Sequence, residues 1–187
     1  VRKFQIALTL FVALFGCALF AQKPAPADRV LENAKSQAAQ QRKLIFLVFG
    51  ASWCGPCHMQ DAFMAAPETR PILEKYFVPA KLNVEEEVGK HPERNSPGGE
   101  ELLARFGGVD ARGKSGGVPF LVLLDASGDP IVNSNRPVKG PAGSVNIGYP
   151  SAPEEIDWFM SMLNKAVPTM TADETRTIDS WLKKHHG

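Results

Sequence analysis

A chain of 187 residues can bury one core of average size, with little left over for a second. Its 21 basic and 20 acidic residues nearly cancel, so charge gives no reason to expect a nucleic-acid partner, whose phosphates would call for a basic face. Three cysteines, at 17, 54 and 57, are too few for a structural disulfide framework.

Read from its first residue, the chain has Arg2-Lys3 followed by an apolar run from Ile6 to Ala21, interrupted at Thr9, and then Gln22-Lys23-Pro24-Ala25-Pro26. Basic residues ahead of an apolar run of this length have the shape of a secretory signal. The run is slightly short for a spanning helix of about 20 residues, and an uncleaved anchor is the alternative. Cleavage after Ala21 would leave Cys54 and Cys57 as the thiols. Leu14-Phe15-Gly16-Cys17 resembles a bacterial lipoprotein signal, which would make Cys17 the lipidated residue. Residues 1–21 are therefore read as a signal peptide, lipoprotein signal or anchor, 22–27 as a Pro/Ala linker, and 28–187 as one domain. The expected location is exported, with membrane contact only through that N-terminus.

Asp28 to Arg42 is rich in Ala, Gln, Glu, Lys and Leu, without Gly or Pro, and predicts a helix. Leu44-Ile-Phe-Leu-Val-Phe49 is short and continuously apolar, the pattern of a strand buried on both faces. A second helix is expected from Cys54 to about Ala66, with Pro67 and Pro71 breaking or restarting it, then a strand around Val78 to Val84. Residues 85–117 are rich in charge and Gly, with one helical piece, Glu100 to Phe106. Strand character returns at Pro119 to Leu124, turns at Ala126 to Asp129, and continues at Ile131-Val132. Ser151-Ala-Pro-Glu154 reads as a capping box opening a helix through Ile156, Phe159, Met160 and Leu163. Thr171-Ala-Asp-Glu174 opens another, with Ile178, Trp181 and Leu182. Alternating strands and helices followed by a strand pair predict an α/β fold, a mixed sheet with helices on both faces.

The stretch FGASWCGPCH, Phe49 to His58, fits two chemistries. As C-x-x-C-H it is a c-type haem attachment site; as W-C-x-x-C after a buried strand it is a thiol-disulfide redox site. A haem would want a second axial ligand. Met59 and Met64 lie too near the attachment point, and Met160, Met162, Met170 and His91 are poor candidates. A redox dithiol needs an accessible cysteine held as thiolate. A strand opening into a helix puts Cys54 at a helix N-terminus, where amide dipoles favour negative charge. Pro56 suits the first turn, and Cys57 lies one turn on, within reach of a disulfide.

W-C-G-P-C after a buried strand resembles thioredoxin, and the likeness extends over roughly residues 28–166. Lys81-Leu-Asn-Val84 resembles the family's middle strand, Gly117-Val-Pro119 its cis-proline loop, Asp125-Ala-Ser-Gly128 its hairpin turn, and Gly148 its glycine before the last helix. The resemblance implies a thioredoxin fold with an insert at about 85–117 before the cis-Pro loop and an extra C-terminal helix within about 167–187. It implies Cys54 as nucleophile and Cys57 as resolving thiol, and a substrate groove of Trp53, Gly55, Pro56, Val118, Pro119 and Gly148. No cofactor is implied beyond the Cys54–Cys57 disulfide. The partners implied are exported protein disulfides or dithiols and a membrane or periplasmic electron donor. Gly-Pro between the cysteines resembles the reducing members; a disulfide-forming oxidase or isomerase and a polypeptide-binding module are the alternatives.

The pattern is departed from at Val48, where thioredoxin has a buried aspartate six positions before the first cysteine, and at His58, where lysine is common. His58 is a possible proton-transfer group or a solvated helix side chain, and Asp61 has the same two readings. Gly108 to Ser115 meets G-x-x-x-x-G-K-S, but that phosphate loop works only between a strand and a helix. Cys54, Cys57, His58 and His91 do not make the two spaced pairs of a structural zinc site, His185 and His186 read as solvated tail residues, and no metal is assigned. The expectation against haem is directly testable. Protein expressed with haem-attachment machinery should show no Soret band after acid-acetone extraction, and a surviving band would restore the C-x-x-C-H reading.

Overall fold

A computed structural model describes residues 23–110 and 112–185, so the signal or lipid-anchor reading of 1–21, with Cys17, and the reading of His186 fall outside the described residues. In chain order the elements are α1 (Ala27–Gln41), β1 (Leu44–Gly50), α2 (Gly55–Ala65), α3 (Arg70–Tyr76), β2 (Phe77–Asn83), α4 (Gly99–Arg105), β3 (Phe120–Leu124), β4 (Pro130–Asn133), β5 (Asn135–Pro137), β6 (Ser144–Asn146), α5 (Pro153–Ala166) and α6 (Ala172–Lys184). A single 3-10 turn, Pro92–Arg94, lies between β2 and α4.

The main sheet has the order β2-β1-β3-β4. β1 runs parallel to β2, from Leu44 opposite Phe77 to Gly50 opposite Asn83, and antiparallel to β3, whose other neighbour β4 is antiparallel again. The sheet is mixed, as the sequence predicts. Side chains alternate across a strand, so β1 and β3 each split between two cores. Ile45, Leu47, Phe49, Phe120, Val122 and Leu124 face the layer built with α1 and α4. Phe46, Val48, Leu121 and Leu123 face the layer built with α2, α3, α5 and α6. Each large side chain so buried contributes about 1.5–3 kcal/mol. Among the described residues, no helix is long and apolar enough to cross a membrane.

The structure corrects the sequence reading in two places. At the start of α5 only half of the expected box forms, and it uses Glu155 in place of Glu154, since the N-cap Ala152 has no side-chain acceptor. Pro153 takes the first helical position, which moves the cap to Ala152, and the Glu155 carboxylate accepts from the backbone N–H of Ser151 and Ala152 and from the Ser151 hydroxyl. The sequence reading also passes over β5 and β6. Their composition, Asn-Arg-Pro and Ser-Val-Asn, carries no strand signal, and the hairpin is held from outside. Ser134 N–H donates to Leu121 O at 2.9 Å, and Ile147 N–H donates to Ser134 O at 3.0 Å.

α6 is tied into the fold along its length. Thr171 caps it through the reciprocal bonds of a box with Glu174. Ile178 and Leu182 are fully buried, and the Trp181 ring lies 5.3 Å from Phe63 of α2. Glu174 also accepts from Lys75 Nζ and Tyr76 Oη of α3, both at 2.7 Å. The Lys75 ammonium, the Thr171 backbone N–H and the Tyr76 hydroxyl together pull the Glu174 carboxyl from 4.5 down to about 2. A depressed carboxyl stabilises the fold above its unfolded pKa, and that contribution disappears as pH falls through the folded one. Glu174→Gln should lower the melting temperature at pH 7 by about 2–4 °C, the size of one lost cap. The difference from wild type should shrink between pH 4.5 and about 2; a difference that stays constant across that range would refute the linkage.

Candidate active site

The site is set where β1 ends. Gly50 is in register with Asn83 of β2, and a Cβ there would lie a tight 3.3 Å from Cys57 Sγ, so glycine gives the sulfur room where the strand passes beneath it. A turn follows from Ala51 to Cys54, closed by Cys54 N–H donating to Ala51 O at 3.3 Å. Cys54 is the N-cap of α2, with extended backbone, and its Sγ accepts from the Cys57 N–H at 3.1 Å. Cys54 and Cys57 are disulfide-bonded with their Cα atoms 5.2 Å apart. An N–H aimed at a sulfur on a helix N-terminus stabilises that sulfur as thiolate once the bond is reduced.

One expectation needs correction. Cys54 is 2% exposed and Cys57 1%, so in the oxidised state neither sulfur stands open to solvent. They pack with Ala51 and against Val118, whose carbonyl oxygen lies 3.4 Å from Cys54 Sγ. As a disulfide sulfur, Cys54 has no proton to donate there, and the contact is one of packing.

The residues singled out for a groove lie in the turn before α2, the first turn of α2 and the loops before β3 and α5. Gly55 and Pro56 are exposed at the start of α2. The Val118–Pro119 peptide is cis, and Pro119 is buried. Gly148, at φ +61°, brings its backbone against Pro119, where a Cβ would sit 3.8 Å from Pro119 Cδ. Trp53 is 42% exposed; its indole N–H donates to Glu85 O at 2.8 Å, and its ring lies over Gly89, where a Cβ would meet Trp53 Cδ1 at 2.7 Å. His58 Nε2 lies 3.1 Å from Ser52 O. A carbonyl only accepts, so that nitrogen carries the proton and ties α2 back to the turn.

Asp61 is paired with Lys81 at 2.6 Å, on the side where the Lys81 stem and Cys57 Sγ both approach Gly50. Val48 is 2% exposed and packed in the second core. His91 bonds Glu93 at 3.2 Å, and His185 is exposed, as expected of a solvated residue, while its ring stacks on Trp181 at 4.1 Å. Among the described residues, no group of three or more His, Cys, Asp or Glu side chains is disposed to hold a metal. The segment Gly108–Ser115 follows helix α4, closes through a Val109–Ser115 bridge and leads into β3, with Asp110 capping the N–H groups of Arg112 and Lys114, which is no phosphate loop.

Sequence reasoning missed Asn146. Its amide nitrogen donates to Gly117 O at 2.8 Å and Pro119 O at 3.1 Å, and its oxygen accepts from Ser134 Oγ at 2.7 Å and Gly148 N–H at 3.2 Å. One side chain from β6 thus holds both sides of the Val118–Pro119 loop, a long-range contact with no local signal.

A sequence profile described as thioredoxin-like matches residues 27–126. The chain belongs to the thioredoxin-like family. It combines the fold of the thiol-disulfide oxidoreductases with a close cysteine pair, and in such proteins the redox-active disulfide serves in place of a cofactor. No curated protein gives a significant match. Among solved structures the chain is similar to a disulphide isomerase from Xylella fastidiosa Temecula1, with 18% identity, a TM-score of 0.49, and coverage of 95% of this chain and 98% of that one. It is also similar to a DsbH oxidoreductase, at 19% identity, TM-score 0.41 and coverage of 90% and 96%. A third similar structure is the oxidised C-terminal domain of Neisseria meningitidis DsbD, at 18%, 0.42, and 75% and 99%. These likenesses are loose, and the family assignment rests on the profile.

Because Asn146 satisfies four polar groups around the cis-proline loop, Asn146→Ala should cost about 1–3 kcal/mol of unfolding free energy, measured by denaturant titration. A loss below about 0.5 kcal/mol would show that solvent replaces those bonds freely.

Proposed function

We propose that this protein is a protein-disulfide reductase acting on exported proteins, with Cys54 as the attacking thiol and Cys57 as the resolving one. The observation that carries the reading is the Cys57 N–H held 3.1 Å from Cys54 Sγ at the N-terminus of α2, which favours a thiolate at Cys54 over Cys57. The reducing direction is supported by Gly-Pro between the cysteines, and export by the N-terminal sequence pattern.

In the reduced protein the Cys54 thiolate attacks one sulfur of a substrate disulfide. A Cys54–substrate bond forms, the substrate S–S bond breaks, and the departing sulfur leaves as thiolate and takes a proton from water. Cys57 then loses its proton and attacks Cys54 Sγ. The mixed disulfide breaks, the second substrate sulfur leaves, and two electrons have passed from the protein to the substrate. A dithiol electron donor restores the reduced pair by the same exchange. The Val118 carbonyl beside Cys54 offers an acceptor to an extended substrate segment, and Trp53, Gly55, Pro56, Pro119 and Gly148 border it. His58, bound to the turn through Ser52, is assigned no proton-transfer step.

Cys57→Ser should accumulate mixed disulfides with substrate, and Cys54→Ser should reduce insulin with dithiothreitol no faster than dithiothreitol alone. If Cys54→Ser is the trapping variant, the assigned roles are reversed. The pair should equilibrate with glutathione at a potential nearer the roughly −270 mV of thioredoxin than the roughly −120 mV of a strong oxidant. A value near the latter would overturn the direction.

A further inference from the structure

The two central residues of the turn before Cys54 are gripped from the segment between β2 and α4. Ser52 N–H donates to Glu86 Oε1 at 2.8 Å, and the Ser52 hydroxyl donates to Glu86 Oε2 at 2.7 Å. That hydroxyl also accepts from Arg94 Nη1 at 3.1 Å. A serine hydroxyl has one proton and two lone pairs, so this arrangement fixes its direction, with the cation on one side and the anion on the other. Glu86 is itself held in place: its N–H donates to Asn95 Oδ1 at 3.0 Å, and its carbonyl accepts from His91 N–H at 2.9 Å. It is fully buried.

A buried carboxylate is expensive, and replacing a buried charge pair by apolar residues is often neutral or stabilising. Its use here therefore points beyond stability. Ser52 lies inside the turn whose closing bond is Cys54 N–H to Ala51 O, so what orients Ser52 orients the Cys54 backbone and sulfur. We propose that Glu86 and Arg94 act through the Ser52 hydroxyl as positioning residues that hold the Cys54 turn and, by their opposed charges, set the redox potential of the Cys54–Cys57 disulfide.

This rests on the reading of that pair as a redox site. The other charged or titratable groups around it are Glu85, Glu87 and His91 on the same segment, Glu93, whose carboxylate lies 3.9 Å from Arg94 Nε, His58 and Asp61 on α2, Lys81 on β2, and Glu100 on α4, whose carboxylate accepts from Glu85 N–H. Asp61 and Lys81 are paired with each other, while Glu86 and Arg94 meet on a residue of the turn itself. A negative charge beside Cys54 disfavours the thiolate and so the reduced pair; a positive charge favours both. Removing the two charges should therefore move the potential in opposite directions.

The test is equilibration of the full chain with a glutathione series, for wild type, Glu86→Gln and Arg94→Gln, with melting temperatures alongside. Glu86→Gln should raise the potential and Arg94→Gln lower it, each by up to tenfold in the equilibrium constant, which is about 30 mV for this two-electron couple. A purely structural role would lower both melting temperatures and leave the potentials together, and that result overturns the proposal. Should Glu86→Gln fail to fold, Arg94→Gln carries the test alone, since that side chain is 49% exposed, and an unchanged or raised potential would overturn it. Wild-type protein that does not exchange with glutathione at all would remove the redox reading and this proposal together. A wild type that exchanges normally while the variants match it removes only this one.

Discussion

The structure depends on one constraint, that the run from Ile45 to Phe49 has no side that tolerates water. A strand apolar at every position has to be covered on both faces, and the chain meets this by placing α1 and α4 on one side and α2, α3, α5 and α6 on the other. The end of such a strand is the first place where the backbone can turn toward the surface. Gly50 allows that exit directly under Cys57, and the next helix begins within five residues. A buried strand thus delivers a cysteine to a helix N-terminus, and the position of the disulfide follows from the layering of the core.

This explains which parts of the molecule were legible in the sequence. The central strands show as continuous apolar runs, α6 shows as a box with Ile178 and Leu182 at helical spacing, and the cysteine pair shows as a motif, because each signal is local. The residues that hold the turn and the cis-proline loop show nothing local. Glu86 stands in the run Glu85-Glu86-Glu87, which reads as a solvated charge cluster, yet its carboxylate is buried against a serine 34 positions earlier. Asn146 sits in a stretch with no periodicity, and its four bonds reach residues 2 to 29 positions away. The burial of Cys54 was hidden for a similar reason, since what covers it is Val118, 64 residues on.

The two segments that depart from a plain alternation of strands and helices meet the site from different directions. Residues 85–98, after β2, supply Glu85, Glu86, Gly89 and Arg94 to the turn carrying Ser52 and Trp53. The β5–β6 hairpin, after β4, supplies Asn146 to the loop carrying Val118 and Pro119. Both leave the sheet intact and act on loops at the end of its two central strands, β1 and β3. Such additions can alter a site without disturbing the layers beneath it, because a loop accepts extra residues at little entropic cost.

The distribution of carboxylates follows the same division. An acid at position 48 would be buried in the layer of Phe46, Phe63 and Phe77 and would add a second carboxylate to the pocket that Val48 lines with Asp61, Arg70 and Lys81, and the chain has Val48 there. The acids near the disulfide stand instead where partners exist. Asp61 lies at the surface against Lys81, and Glu86 is buried against the N–H and hydroxyl of Ser52. Charge beside the sulfurs is thus supplied from the loops, the surface of α2 and Lys81 of β2, while β1 beneath the cysteines stays apolar. The core that fixes where the cysteines are and the charges that bear on their chemistry are carried by separate parts of the chain, so a substitution in either can be made while the other stays in place.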